Sequence, residues 1–273
     1  MIIRALARSA CLLLLALMAT GAARAEVTSQ DQVLSADLLT GWKMDSGAHM
    51  TALKLDLAPG WKTYWRSPGD AGIPPQFDWS GSQNLRAVRL HWPAPSVFRT
   101  NGMQTIGYHD QLVLPVEIVA VDPSKPVILS AQVELGVCHD ICMPASLAFQ
   151  AALPSPGTQD ATIRAALAAR PKTAKEARLK TIGCEVEPIK DGLRLTATLD
   201  LPARGGRETV AFETADPSVW VAEAVSRRQG GKLVAVTELV PPSGAPFALN
   251  RSGVTVTVID DRGAIEIAGC PAP

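Results

Sequence analysis

Short segments in which apolar and polar residues alternate are the feature of this sequence that most restricts its fold. Residues 49–57, 112–119 and 127–135 alternate in this way, at least in part, and strand-like segments return at 192–199 and 253–259. A period of two places one face of a β-strand in a core and the other in solvent. Clusters of Pro and Gly between the segments supply the turns. Many short strands punctuated in this way are typical of a β-sandwich.

A change of composition near the middle of the chain separates two strand-rich parts. Residues 154–158 read Pro-Ser-Pro-Gly-Thr, and the Ala-rich stretch after them predicts a short helix capped by Thr158 or Asp160. Pro171 would end that helix, because proline cannot continue it.

The resulting fold prediction is all-β with two domains joined by a connector. A β-sandwich is expected at 26–152, a linker with a short helix at 153–181, and a second β-rich domain at 182–273. Both halves are compatible with immunoglobulin-like sandwiches.

The first 25 residues have the pattern of a secretory signal peptide. Arg4 and Arg8 precede a short apolar run at 11–18, and the segment ends in Ala23-Arg24-Ala25, an A-x-A cleavage pattern. This pattern predicts export to the periplasm of a bacterium, with a mature chain from Glu26. An N-terminal membrane anchor is the alternative, but the apolar run is too short to span a bilayer, and no later segment is long enough.

The charge pattern argues against a nucleic-acid partner. The chain has 26 basic and 26 acidic residues, and removal of residues 1–25 would take three arginines and no acid. The mature chain would then be slightly acidic, without the basic patch that a nucleic-acid surface requires.

Four cysteines remain after the predicted signal peptide: Cys138, Cys142, Cys184 and Cys270. An even number in an exported protein predicts two disulfides. Three pairings are possible, and spacing alone does not choose among them.

Cys138 and Cys142 are separated by three residues between two strand-like segments. A hairpin would place them opposite each other, within disulfide reach. Closing so short a loop stabilises a chain by only ~2 kcal/mol, whereas a Cys184–Cys270 bond would contribute ~4.5 kcal/mol. The long-range bond is thus the better structural staple, and the short one is suited to be a redox switch. A simple turn clamp is the alternative for the short bond.

A series of motifs between residues 45 and 150 resembles one known family. The motifs are Leu57-Ala-Pro-Gly-Trp-Lys-Thr-Tyr-Trp-Arg66, the loop Pro68–Pro75, Trp92–Pro95, Gly107-Tyr108, Leu114–Val116 and the Cys138–Cys142 hairpin. In this order they resemble the N-terminal periplasmic domain of the DsbD/ScsB thiol–disulfide interchange family. The resemblance implies an immunoglobulin-like sandwich with the cysteine pair at one end.

The resemblance also implies a function and a set of site residues. Electrons would pass from a membrane-embedded DsbD/CcdA-type transporter, through the cysteine pair, to periplasmic thioredoxin-like proteins. The chain would be a thiol–disulfide oxidoreductase without an organic cofactor or metal. The family's cap loop matches residues 96–102, with Phe98 as the cap. Tyr64 and Tyr108 match aromatic positions near the cysteines. By analogy, Cys142 would form the mixed disulfide with a partner.

The sequence departs from the family in two respects, and two other functions compete with the redox hypothesis. The cysteine loop is shorter than in the best-known DsbD domains. No thioredoxin-like C-x-x-C domain or membrane span is predicted, so separate partners would be required. Cys138, His139, Cys142 and Met143 could instead bind Cu(I), which favours sulfur ligands. The third possibility is a non-catalytic binding module in which both disulfides are structural.

Overall fold

The chain folds mainly into β-strands, which confirms the all-β prediction. The structure is a computed structural model that describes residues 29–100 and 102–273. The predicted signal peptide, residues 1–25, lies outside the described residues. None of the helices in the described part of the chain is long and apolar enough to cross a membrane.

The first half consists of a short helix and ten strands. They are α1 (Gln30–Val33), β1 (Leu34–Lys43), β2 (His49–Leu57), β3 (Lys62–Tyr64), β4 (Gln76–Asp78), β5 (Leu85–Leu90), β6 (Ser96–Thr100), β7 (Met103–His109), β8 (Gln111–Ala120), β9 (Ile128–Cys138) and β10 (Cys142–Ala152).

These strands form two antiparallel sheets that pack as a sandwich. One sheet has the order β1-β2-β8-β5, and the other has the order β10-β9-β3-β7-β6, with β4 beside β9. Leu53 and Leu114 of the first sheet meet Ile106 and Val133 of the second in one buried core. The predicted alternation produces this core, because every second side chain of these strands points inward.

The helix after the first sandwich covers the outer face of its smaller sheet. Helix α2 (Ala161–Ala168) begins at Asp160, whose carboxylate accepts hydrogen bonds from the backbone N–H groups of Thr162 and Ile163. Ile163 is completely buried and packs with Met50 and Val113 in a separate apolar cluster. Strands β2 and β8 are therefore buried on both faces, and the helix contributes a second core as well as a connection.

The second half is also a sandwich. Its strands are β11 (Lys172–Thr173), β12 (Ile182–Ile189), β13 (Gly192–Leu199), β14 (Thr209–Glu213), β15 (Trp220–Val221), β16 (Val225–Gln229), β17 (Lys232–Val240), β18 (Thr255–Asp260) and β19 (Gly263–Ala268). One sheet has the order β11-β19-β18-β14, and the other β12-β13-β17-β15, with β16 also on β17. Leu195 and Leu239 of one sheet pack with Val256 and Ile265 of the other.

Polar and apolar contacts join the two sandwiches. Arg66 donates two hydrogen bonds to Glu213, at 2.8 and 2.9 Å, and one to Glu266 at 2.5 Å. Its guanidinium lies 4.5 Å from the ring centre of the buried Trp65. The apolar part of the contact consists of three residues of the second sandwich that pack into the core of the first: Ala211, Ile259 and Ala264. The second sandwich is thus fixed to the segment that directly follows β3.

His49 of β2 should make the stability of the first sandwich depend on pH. Its side chain is buried, with Nε2 2.5 Å from the backbone oxygen of Thr40. Burial lowers the pKa of His49 from its ordinary value of 6.5, an effect to which Lys43 adds and which the Thr40 contact opposes. A folded-state pKa below the unfolded one means that stability is fully present above pH 6.5 and is lost as the pH falls below it.

The substitution His49→Gln tests this linkage because the amide can still donate to Thr40. We expect the free energy of unfolding of the parent chain to decrease more steeply than that of His49→Gln between about pH 7 and pH 5. Urea titrations at several pH values measure the difference. Parallel curves for the two proteins would show that His49 is not the responsible group.

Candidate redox site

The hairpin between β9 and β10 carries the two cysteines that the sequence singled out. Cys138 ends β9 and Cys142 begins β10, and the two residues are directly opposed in the antiparallel register. Their Cα atoms are 4.1 Å apart and their sulfurs are bonded. The backbone N–H of His139 donates to the oxygen of Ile141, which closes the turn. The register alone therefore holds the two thiols of a reduced pair close to each other.

Strand alternation places the disulfide on the outer face of the sheet and makes its two halves unequal. Val137 and Met143, the neighbours of the cysteines, pack toward the sandwich core. Cys138 is only 1% exposed, because neighbouring elements cover it, whereas Cys142 is exposed. Ile141 in the turn is 60% exposed. The Cys138 sulfur is therefore closed to an approaching thiolate, whereas Cys142 belongs to the exposed part of the hairpin.

The Tyr64 side chain contacts both sulfurs. Strand β3 pairs with β9 so that Lys62 lies opposite Cys138, and Tyr64 shares the face of Lys62. The Tyr64 hydroxyl is 2.8 Å from Cys138 Sγ and 3.3 Å from Cys142 Sγ. The tyrosine is 2% exposed, and burial raises its pKa. The hydroxyl therefore remains protonated at neutral pH and can donate a hydrogen bond to sulfur.

Two glycines make room for the Tyr64 ring. A Cβ atom at Gly136 of β9 would lie 3.1 Å from Tyr64 Cε2 and 3.0 Å from Ile73 Cβ. A Cβ atom at Gly72 would lie 3.0 Å from Tyr64 Cδ1 and 2.3 Å from Pro68 Cβ. Glycine inside a strand often marks such a close approach. The loop at 67–75 thus packs against the Tyr64 ring.

Phe98, the predicted cap residue, lies on the same outer face of the sheet as the cysteines, but on the distant strand β6. Its ring is 4.4 Å from the ring of His109 and 5.3 Å from Nζ of Lys62. Three strand steps separate it from Cys138 in the order β9-β3-β7-β6. The Phe98 side chain is half-buried. It lies beside Lys62, which pairs with Cys138 across β3 and β9.

Tyr108, the second predicted aromatic neighbour, lies on the opposite face of the sheet. His109 pairs with Lys62 and so shares the face of the cysteines, which directs Tyr108 into the core. Its hydroxyl donates to the Pro93 oxygen at 2.8 Å, and its ring stacks on Trp92. The structure thus separates Tyr108 from the cysteine pair.

The first sandwich is similar in sequence to a known protein family. The family described as "Thiol:disulfide interchange protein DsbD, N-terminal" matches residues 30–154, the range that contains all ten strands of the first sandwich. This part of the chain is similar to the DsbD N-terminal domain family. The resemblance inferred from the motifs is thereby confirmed, and it supports a general role in thiol–disulfide interchange.

The fold similarity extends beyond the DsbD N-terminal domain. A crystal structure of the N-terminal periplasmic domain of ScsB from Proteus mirabilis is similar to this chain, with a TM-score of 0.67 and 22% identity. The alignment covers 90% of this chain and 96% of the ScsB chain, so both sandwiches share the fold. None of the curated proteins matches the sequence.

The turn between β9 and β10 holds its histidine against an aromatic ring. His139 lies 6.0 Å from Trp61, measured between ring centres, and its Nδ1 is 2.9 Å from a carboxylate oxygen of Asp140. Gly60 lies under the imidazole, where a Cβ atom would be 3.0 Å from it. These contacts fix the turn from outside the sheet.

The residues proposed as copper ligands do not converge. Met143 packs against the core on the face opposite Cys142, and His139 is engaged with Trp61 and Asp140. Within the described ranges, no group of three or more His, Cys, Asp or Glu residues could hold a metal ion. This arrangement gives no support to the copper hypothesis.

The second cysteine pair has a different setting from the first. Cys184 and Cys270 are bonded across 86 residues of sequence, with Cα atoms 5.5 Å apart. Both residues are almost completely buried in the core of the second sandwich. A partner thiolate has no access to either sulfur, which is the property expected of a structural bond.

Proposed function

We propose that this chain is a thiol–disulfide oxidoreductase that transfers electron pairs through Cys138 and Cys142. The observation that carries the proposal is the asymmetric pair itself: two opposed, bonded cysteines of a DsbD N-terminal domain, one exposed and one buried. A disulfide that only clamped a turn would gain little stability from so short a loop.

The exchange proceeds by thiolate attack on an accessible sulfur. A partner thiolate attacks Cys142 Sγ, a new S–S bond to the partner forms, and the Cys138–Cys142 bond breaks with its electron pair on Cys138 Sγ. A second partner thiolate then displaces Cys142. The partner leaves as a disulfide, and the chain is left as a dithiol with two added electrons and two protons.

The same steps in reverse reduce a partner disulfide, so the pair can accept electrons from one protein and deliver them to another. We assign the donor role to a membrane-embedded DsbD/CcdA-type transporter and the acceptor role to thioredoxin-like proteins. The periplasm is the proposed compartment, supported by the predicted signal peptide and by the periplasmic origin of the similar ScsB domain.

A redox titration against glutathione tests the proposal. An exchange protein requires a Cys138–Cys142 potential within the range of known thiol–disulfide proteins, about −270 to −180 mV. A potential below about −300 mV is that of a structural bond, and it would replace the enzyme hypothesis with that of a binding module.

A further inference from the structure

The Tyr64 hydroxyl is a buried donor whose hydrogen-bond partners, in the part of the chain that the structure describes, are the two sulfurs of the redox pair. It is 2.8 Å from Cys138 Sγ and 3.3 Å from Cys142 Sγ. A buried hydroxyl without a good acceptor is unfavourable. Disulfide sulfur is a weak acceptor, whereas a thiolate is a charged one and forms a much stronger hydrogen bond. The contact is therefore strongest in the state where Cys138 carries a negative charge.

We propose that Tyr64 is a catalytic residue of the exchange reaction, which stabilises the Cys138 thiolate by donating a hydrogen bond to its Sγ. This inference rests on the proposed function and adds a role for a residue outside the cysteine pair. The contact concerned is that between the Tyr64 hydroxyl and Cys138 Sγ, so the thiolate of the buried cysteine is the species expected to be stabilised.

The hydrogen bond acts in both directions of the reaction. When a partner thiolate attacks Cys142, the electron pair of the broken S–S bond goes to Cys138 Sγ, and the Tyr64 hydroxyl stabilises this leaving group without transferring its proton. In the reverse direction, Cys138 must be a thiolate to attack the mixed disulfide at Cys142. A larger thiolate fraction of Cys138 therefore accelerates the release of the reduced partner.

The packing of the ring explains why the hydroxyl is aimed at sulfur. Gly136 lies beneath the ring, and Gly72 with Pro68 lies against it, so the ring cannot turn away without displacing the 67–75 loop. A pre-positioned donor needs no reorganisation when charge develops on the sulfur, which is the condition for effective electrostatic stabilisation.

Other ionisable groups also surround the pair, and the experiment must leave them unchanged. On the strands, turn and loop around the sulfurs they are Lys62, Asp70, His109, Glu134, His139 and Asp140. Nζ of Lys62 donates to Thr105 at 3.2 Å, and His139 pairs with Asp140. Tyr64→Phe removes one hydroxyl and none of these groups.

The direct test is a titration of the Cys138 thiol. In the full chain with Cys11→Ser and Cys142→Ser, Cys138 is the only free thiol while Cys184–Cys270 stays bonded. Its thiolate absorbance is followed against pH with and without Tyr64→Phe. We expect Tyr64→Phe to shift the titration to higher pH and to lower the thiolate fraction about tenfold where the thiol is mostly protonated.

Tyr108→Phe is the matched control, because Tyr108 loses its hydrogen bond to the Pro93 oxygen and lies on the other face of the sheet. It should leave the Cys138 titration unchanged. With both cysteines restored, reduction by dithiothreitol should be about tenfold slower in Tyr64→Phe and unaltered in Tyr108→Phe.

The outcomes separate the inference from the proposed function. An unshifted titration in Tyr64→Phe, or an equal shift in Tyr108→Phe, overturns the role of Tyr64 even if the parent chain exchanges disulfides normally. A chain that does not exchange at all contradicts the proposed function, while the titration still reports whether Tyr64 stabilises the Cys138 thiolate.

Discussion

Cys138→Ala is expected to accumulate a mixed disulfide with an oxidised thioredoxin-like partner, whereas Cys142→Ala should form almost none. The physical reason is the difference in accessibility, since Cys142 is exposed and Cys138 is 1% exposed. Without Cys138, the exposed thiolate attacks the partner disulfide, but no second thiol in the hairpin can release the product. Non-reducing electrophoresis and mass spectrometry of the linked peptides measure the effect.

The comparison has a built-in control in the second cysteine pair. Both variants retain the buried Cys184–Cys270 bond, so peptides containing those residues should be absent from the adduct. Equal adduct yields from the two single variants, or an adduct through Cys184, would contradict the assignment of Cys142 as the reacting sulfur.

The second large effect concerns stability. The double substitution Cys184→Ala/Cys270→Ala should lower the free energy of unfolding by about 4.5 kcal/mol, because the bond closes a loop of 86 residues and strongly restricts the unfolded chain. The double substitution Cys138→Ala/Cys142→Ala removes a bond between residues only four apart and should cost about 2 kcal/mol. Urea denaturation of the three proteins gives the comparison.

The two double variants are matched, because each removes one disulfide from the same chain. A larger loss from Cys138→Ala/Cys142→Ala than from Cys184→Ala/Cys270→Ala would show that the short bond stabilises the fold beyond its loop entropy. That result would favour a structural role for the hairpin pair. The expected order supports different roles for the two bonds: Cys184–Cys270 stabilises the fold, and Cys138–Cys142 reacts.

The hairpin could be predicted from the sequence because its information is local. The strand-like segments on both sides and the three-residue spacing place Cys138 opposite Cys142 without any knowledge of the other strands. The same applies to β2 and β13, whose alternating residues match the observed bounds His49–Leu57 and Gly192–Leu199.

The surroundings of the cysteines depend on pairing between distant strands, which spacing does not reveal. Lys62 lies opposite both Cys138 and His109, and this register decides that Tyr64 faces the sulfurs while Tyr108 faces the core. A shift of one residue would exchange these faces. The two tyrosines therefore looked equivalent in the sequence.

The role of the 67–75 loop was also hidden in the sequence, although its glycines and prolines were visible. They read as turn residues, and only the packing shows that Gly72 and Gly136 are sites of close approach to the Tyr64 ring. The Ala-rich stretch after residue 158 similarly suggested only a linker with a short helix. In the structure, the helix buries Ile163 against β2 and β8. The alternating sequence of these strands had suggested that only one of their faces is buried.

The reduction potential of Cys138–Cys142 is the measurement that tests the central claim most directly. The chain is equilibrated with glutathione buffers, alkylated and digested, so that the redox state of each cysteine pair is read from its own peptides. The account predicts a potential between about −270 and −180 mV for Cys138–Cys142, with Cys184–Cys270 still oxidised throughout that range. A potential below about −300 mV for Cys138–Cys142 would contradict it, because that bond could then not exchange electrons with thioredoxin-like proteins.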